Sequence, residues 1–211
     1  FAVSLPMPDA ALKAALAAPP GLVALLDPAD NPLSGGVADT PALLRLLVGR
    51  AAPVPTVFAF LHDSAAVELA RAAGQGSARA FTLGARITAA FGPPVHVTAT
   101  VERLTDGRFT NEGPMERGAP VDLGPTCVLR VTDDLRVIVT SRKETAVDPA
   151  FFALHGVDLR ATRLLVVKAK NHFRAAFADR CVAILECDCP GPAALDLGAL
   201  PFRHLPATIA R

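Results

Sequence analysis

LLDPADNPLSGGVADTPALLRLL, residues 25–47, holds the reading that decides the fold. Its first residues close a short apolar run, Leu22 to Leu26, which starts just after Pro19-Pro20-Gly21. A continuous run of that length suits a strand covered on both faces. At the other end, Leu43, Leu44, Leu46 and Leu47 form the apolar side of a helix. Pro41 suits the first turn of that helix, with Asp39 or Thr40 as its N-cap. A strand, a polar loop and a helix in this order open an α/β unit.

The rhythm continues downstream. Val57 to Leu61 reads as a second strand. His62-Asp63-Ser64 can cap a helix from Ala65 to Ala73, which Gly74 ends, and Ala80 to Leu83 is a third strand. A β-α-β-α-β order predicts a parallel sheet with right-handed crossovers. Upstream, Ala10 to Ala18 is Ala-rich and helix-like. The middle changes character, because Val95 to Val101 alternates and is rich in β-branched residues. Val121 to Val131 and Leu135 to Thr140 are two more strands, joined by Thr132-Asp133-Asp134 as a tight hairpin. TDGRFTNEGPMERG, residues 105–118, is a loop. The last part predicts a helix over Ala150 to Leu154, a strand over Leu164 to Val167, a helix over Asn171 to Phe177 and a strand over Val182 to Glu186. An irregular tail follows from Pro190. The expected fold class is α/β in one domain over residues 1–211. It has a partly parallel sheet flanked by helices, with an antiparallel β insertion at about residues 95–141.

Composition excludes several function classes. Hydrophobic residues make up 51% and charged residues 19% of 211 residues, which is globular rather than disordered. A net charge of +1 advertises no field for nucleic acid or an anionic membrane. Trp and Tyr are absent, which argues against stacking on bases or sugars. No apolar run reaches the length of a membrane span. The N-terminal stretch FAVSLPMPDAALKAALAAPPG lacks a basic region and carries Asp9, so it does not read as a signal peptide. Without an initiator Met, the chain reads as part of a longer protein. Cys127, Cys181, Cys187 and Cys189 show no zinc-finger spacing and read as buried reduced thiols, in keeping with a cytoplasmic location. If Cys187-Asp188-Cys189 is extended, its two thiols share one face.

The opening loop carries the strongest local chemistry. In open α/β sheets ligands bind outside the carboxyl ends of the strands. Asp27, Asp30 and Asn31 fall there, and Ser34, Gly35 and Gly36 allow a backbone to approach a ligand closely. Asp39 stands at a helix start, and several carboxylates in one loop could hold a divalent cation or polarise a water. The alternative is that Asp39 caps the helix, Asp27 and Asp30 stabilise turns, and the glycines permit the bend. The G-K-[ST] ending of a phosphate-binding loop is missing, and so is G-x-G-x-x-G.

A second cluster is VVKAKNHFRAAF, residues 166–177. Lys168, Lys170, Asn171, His172 and Arg174 gather at a strand-to-helix junction. That suits binding of a carboxylate or phosphate, or orientation of a carbonyl, with His172 as acid, base or ligand. The alternative is a solvated helix start with Asn171 as N-cap. His62, His96, His155 and His204 show no metal spacing, and His96 is expected on a solvent face. The loop from Asn111 to Glu116 is a candidate lid.

DNPLSGGVADTP, LTDGRFTNEGPMERG, VKAKNHFRAAF and CPGPAALDLGALPFR occur in an order that resembles the C-terminal domain of the MlrC family, the microcystin-degradation-protein-C-like metallopeptidases. The resemblance runs along nearly the whole chain. It implies an α/β C-terminal domain that forms a cleft with an N-terminal domain, which supplies Asp/His zinc ligands. It implies hydrolysis of a peptide or amide bond by metal-activated water in a small peptide or amide substrate. Asp30, Asn31 and Asp39 would line the cleft, joined by Lys170, Asn171 and His172. Zinc is expected in the full-length protein, and no metal ligand is assigned to this chain. The fragment alone should be a poor catalyst. Ala38 stands where many relatives carry Gly, so a positive φ there would strain it. The rival readings are a non-catalytic module that binds a small ligand or a protein, and a structural domain docked on a neighbour. A homo-oligomer is also open.

Overall fold

Val23–Leu26 is a strand with every residue buried, and its neighbours explain why. Val23 and Leu25 enter one apolar core, while Ala24 and Leu26 enter a second core on the opposite face. A strand covered on both sides has no polar positions to alternate, which is why the sequence shows a continuous run. The computed structural model describes residues 4–193. In chain order its elements are α1 (Pro8–Ala17), β1 (Val23–Leu26), α2 (Ala42–Gly49), β2 (Thr56–His62), α3 (Ser64–Ala73), β3 (Ala78–Leu83), β4 (Val95–Thr105), β5 (Arg108–Thr110) and β6 (Pro120–Asp122). They continue as β7 (Thr126–Arg130), β8 (Leu135–Thr140), α4 (Pro149–Leu154), β9 (Leu164–Val167), α5 (Asn171–Phe177) and β10 (Ala183–Glu186).

Eight strands form one mixed sheet in the order β10-β1-β9-β2-β8-β7-β4-β3, so the class is α/β. The five strands β10, β1, β9, β2 and β8 run parallel. β7, β4 and β3 extend the same sheet antiparallel, while β5 and β6 pair apart. The antiparallel segment is therefore continuous with the parallel sheet. Helices α1, α2 and α3 cover one face through residues such as Leu12, Leu44 and Val67. Helices α4 and α5 cover the other face. There a chain of rings joins them, with Phe151 and Phe152 centred 5.2 Å apart, Phe152 and Phe177 5.5 Å, and Phe173 and Phe177 stacked at 4.1 Å.

Three expectations need correction. The third strand, β3, does not continue the parallel sheet. It pairs antiparallel with β4 at the sheet edge, because β4 follows it directly and supplies a nearer partner than β2. The run from Val121 to Val131 is broken, since Leu123-Gly124-Pro125 turns between β6 and β7 and Gly124 takes a φ of 61°. Residues 105–118 are not all loop, because β5 lies inside them and pairs with β6. His96 is exposed on its alternating strand as expected.

His155 is a buried core residue. Its Nδ1 donates to the Phe151 carbonyl at 2.7 Å, and its Nε2 accepts from the Thr126 hydroxyl at 3.0 Å. Burial pushes its pKa down from 6.5 to about 4, with the nearby Arg103 charge adding to the shift. Between those values the unfolded chain binds a proton that the folded chain refuses, so stability falls as pH drops through this window. The expected loss is up to about 3 kcal/mol. Urea unfolding at pH 4.5 and 7.5 should show this loss, and His155→Gln should remove most of it. An unchanged pH dependence in that variant would place the titration elsewhere.

Candidate functional site

The carboxyl ends of β1 and β9 meet at a dry cluster of charges. Leu26 leads into Asp27, and Val167 leads into Lys168, whose side chains are both 1% exposed. The Lys168 ammonium lies 3.2 Å from Asp27 Oδ2 and 2.9 Å from Asp30 Oδ2. It also donates to the Thr40 carbonyl and hydroxyl, both at 2.8 Å. The ring of Phe58 lies below it, 5.6 Å from the nitrogen. Burial works against the Lys168 charge, but the two carboxylates outweigh it and hold the pKa above its ordinary range.

Asp30 organises the whole loop. Its Oδ1 accepts from the N–H groups of Val37 at 2.8 Å and Ala38 at 2.9 Å. Its Oδ2 accepts from the N–H of Thr40 at 2.8 Å and the Thr40 hydroxyl at 2.9 Å. Burial raises its pKa, yet Lys168 and these donors prevail and hold it below the usual carboxylate value. One ammonium cannot balance two carboxylates, and the excess appears at Asp27. Burial there outweighs Lys168 and moves the pKa upward. Asn31 closes the turn, accepting from Leu33 N–H at 3.2 Å and donating to Ser34 Oγ at 3.0 Å. Gly36 is needed for contact, because a Cβ there would stand 2.5 Å from the Asp30 carbonyl oxygen and 2.7 Å from Asn31 N. Ala38 takes a φ of 56°, the strained region that its position raised as a question.

This folding places Asp39, which is itself buried, beside the turn after β3. Neither Asp39 nor Thr40 caps α2, since Pro41 is the N-cap residue and no side chain bonds there. The Asp39 Oδ2 instead accepts from Ile87 N–H at 2.7 Å. Its Oδ1 is buried with no hydrogen-bond partner. Burial raises the Asp39 pKa, against the pull of the Ile87 and Arg86 N–H groups. Nearby, Asp63 caps α3 through Ala66 N–H at 2.9 Å and pairs with Arg86 at 3.0 Å. The turn after β3 was not legible as part of the site, because its link to Asp39 runs through backbone N–H groups, which leave no mark on residue type.

Residues 25–204 match the family model described as MlrC C-terminus. The chain belongs to this family. The same fold is seen in the crystal structure of a proposed metallopeptidase from Mesorhizobium sp. BNC1, with a TM-score of 0.85 and 32% identity. That match covers 96% of this chain and 40% of the other, so this chain spans less than half of that relative's length. No curated protein matches the chain.

In this MlrC C-terminal domain the second cluster divides. Lys168 turns inward to the carboxylates, and Arg174 pairs with Glu186 at 3.2 Å. Lys170 is half-buried, and Asn171 and His172 are exposed at the start of α5. Asn171 is the first helical residue rather than the cap. Ser34 and Gly35 are exposed beside the opening loop. The loop after Asn111 is anchored, since Asp148 accepts from Glu112 N–H at 3.2 Å and Gly113 N–H at 2.7 Å. An open cavity of about 740 Å³ lies there, lined by Glu112, Arg117, Asp179 and Arg180, and none of the opening-loop acids reaches it. Among the described residues, no three His, Cys, Asp or Glu side chains converge to hold a metal ion. A zinc ion does not fit these residues alone. No helix among the described residues is long and apolar enough to cross a membrane. His204 and the chain beyond residue 193 lie outside the described residues.

Proposed function

We propose that this domain forms one wall of the cleft of a metal-dependent peptidase or amidohydrolase. The other wall is an N-terminal domain, which carries the zinc and the chemistry of water activation. The observation that carries this reading is the lone buried oxygen of Asp39, set beyond the carboxyl ends of parallel strands in a family stretch. A desolvated carboxylate oxygen without a partner is costly, and a substrate amine or amide N–H would satisfy it. Asp30 and Asn31 then act by holding the loop. Lys170, Asn171 and His172 offer cationic and polar groups for a substrate carboxylate or a developing oxyanion. Ser34 and Gly35 are exposed and offer close backbone approach, while Gly36 serves the packing of the loop itself.

The test uses the protein that includes the preceding domain. Asp39→Asn keeps the shape and removes the charge, and kcat/KM on a small peptide should fall by about 10²-fold. Stability should change by less than about 1 kcal/mol. Unchanged kcat/KM would remove Asp39 from the cleft. That the described residues hold no metal-binding cluster favours a second reading, a non-catalytic binding module. Elemental analysis decides between them, since zinc in the two-domain protein supports the peptidase and no metal with no hydrolysis supports the module.

A further inference from the structure

Cys187 and Cys189 follow β10 and take no part in the site described above. Both are free and buried, and their sulfurs lie 3.5 Å apart. Two residues of fully extended chain would hold their Cα atoms about 6.6–7 Å apart. That is the outer edge of the roughly 4.4–6.8 Å that a disulfide bridges. Here the Cys189 N–H donates to the Cys187 carbonyl at 3.2 Å, a three-residue turn that folds the two together. The segment is also fastened at both ends to the turn carrying Asp27 and Asp30. Cys187 N–H and Sγ both reach the Leu26 carbonyl, at 3.1 and 3.4 Å, and Ala193 N–H donates to Ala29 O at 2.8 Å.

We propose that Cys187 and Cys189 are a modification site, closing to a reversible intramolecular disulfide with a low-molecular-weight disulfide or a hydroperoxide as oxidant. Two S–H bonds break and one S–S bond forms, releasing two electrons and two protons. A disulfide oxidant leaves as two thiols, and a hydroperoxide leaves as an alcohol and water. Closure draws the sulfurs from 3.5 Å to about 2.05 Å and tightens the strap over the Asp27–Asp30 turn. The neighbouring Cys187 and burial hold the Cys189 thiol above its usual pKa, so the first attack is slow. The second sulfur is already in place to resolve whatever forms. The small ring gives the bond a high reduction potential, so reducing thiols open it readily.

The chain is equilibrated in glutathione buffers from reducing to oxidising, quenched in acid, unfolded and alkylated. Mass spectrometry is expected to show loss of two of the four alkylation sites at the oxidising end. The peptide holding Cys187 and Cys189 should carry no alkyl group and weigh two hydrogens less than its unalkylated dithiol, and added thiol before alkylation should reverse the change. Cys187→Ser and Cys189→Ser should each abolish the bond, and Cys181→Ser should leave it. Peptide mapping of the unsubstituted chain reads the result even if a variant fails to fold. Four alkylated cysteines at every poise, or oxidation confined to Cys181, overturns the proposal.

Discussion

Lys168→Met should remove a large share of the stability of this domain. The ammonium reaches four oxygens at 3.2 Å or less inside a site that excludes water. Replacing it with a thioether of similar length keeps the volume and strands two carboxylates without a counter-charge. Breaking a buried pair in this way costs about 3–5 kcal/mol. A typical domain has only about 5–15 kcal/mol in total, so the loss is a large share of it. Urea unfolding should show the midpoint falling by about 1–2 M. The effect has a pH signature. Protonating Asp27 and Asp30 relieves the repulsion, so the variant should lose less stability at acid pH than at pH 8. A loss below about 1 kcal/mol at neutral pH would mean that water reaches the site and screens it.

Asp30→Ala should be nearly as damaging, and for a different reason. The carboxylate accepts three backbone N–H groups and one hydroxyl, which together set the path from Val37 to Thr40. Removing it leaves those donors buried and unpaired, at about 1–3 kcal/mol each where water cannot enter. The charge on Lys168 still has Asp27, so the expected net loss is about 3–5 kcal/mol. Asp30→Asn keeps an acceptor and should recover part of it. In the two-domain protein, Asp30→Ala should also lower kcat/KM, by displacing Asp39 rather than by removing a group that meets substrate. Unchanged kcat/KM with lowered stability would separate the loop from the cleft.

Much of the fold was legible because both faces of its central strands are apolar. Leu22 to Leu26, Val57 to Leu61 and Leu164 to Val167 stand out as unbroken runs, and each is a strand near its expected bounds. Asp63 and Gly74 mark the ends of α3 through local chemistry that needs no distant partner. The place of β3 was not legible, because strand pairing depends on which neighbour is nearest in space. The split at Gly124 was legible, since Gly124-Pro125 is a local turn signal and Asp122 accepts from Gly124 N–H at 2.8 Å.

By itself the sequence determined the α/β class, the order of most elements and the loop where acidic residues gather. These follow from hydrophobic period, caps and turn residues, which act over a few positions. Only the tertiary structure decided the roles of the polar residues. Lys168 lies 141 positions from Asp27, and nothing local reveals that the strand carrying it ends beside the first acid loop. Once β1 and β9 pair, burial turns Asp27, Asp30 and Lys168 into a scaffold and leaves one oxygen of Asp39 without a partner. Charge and hydrogen-bond energies depend on distance and water access, which the linear chain does not contain.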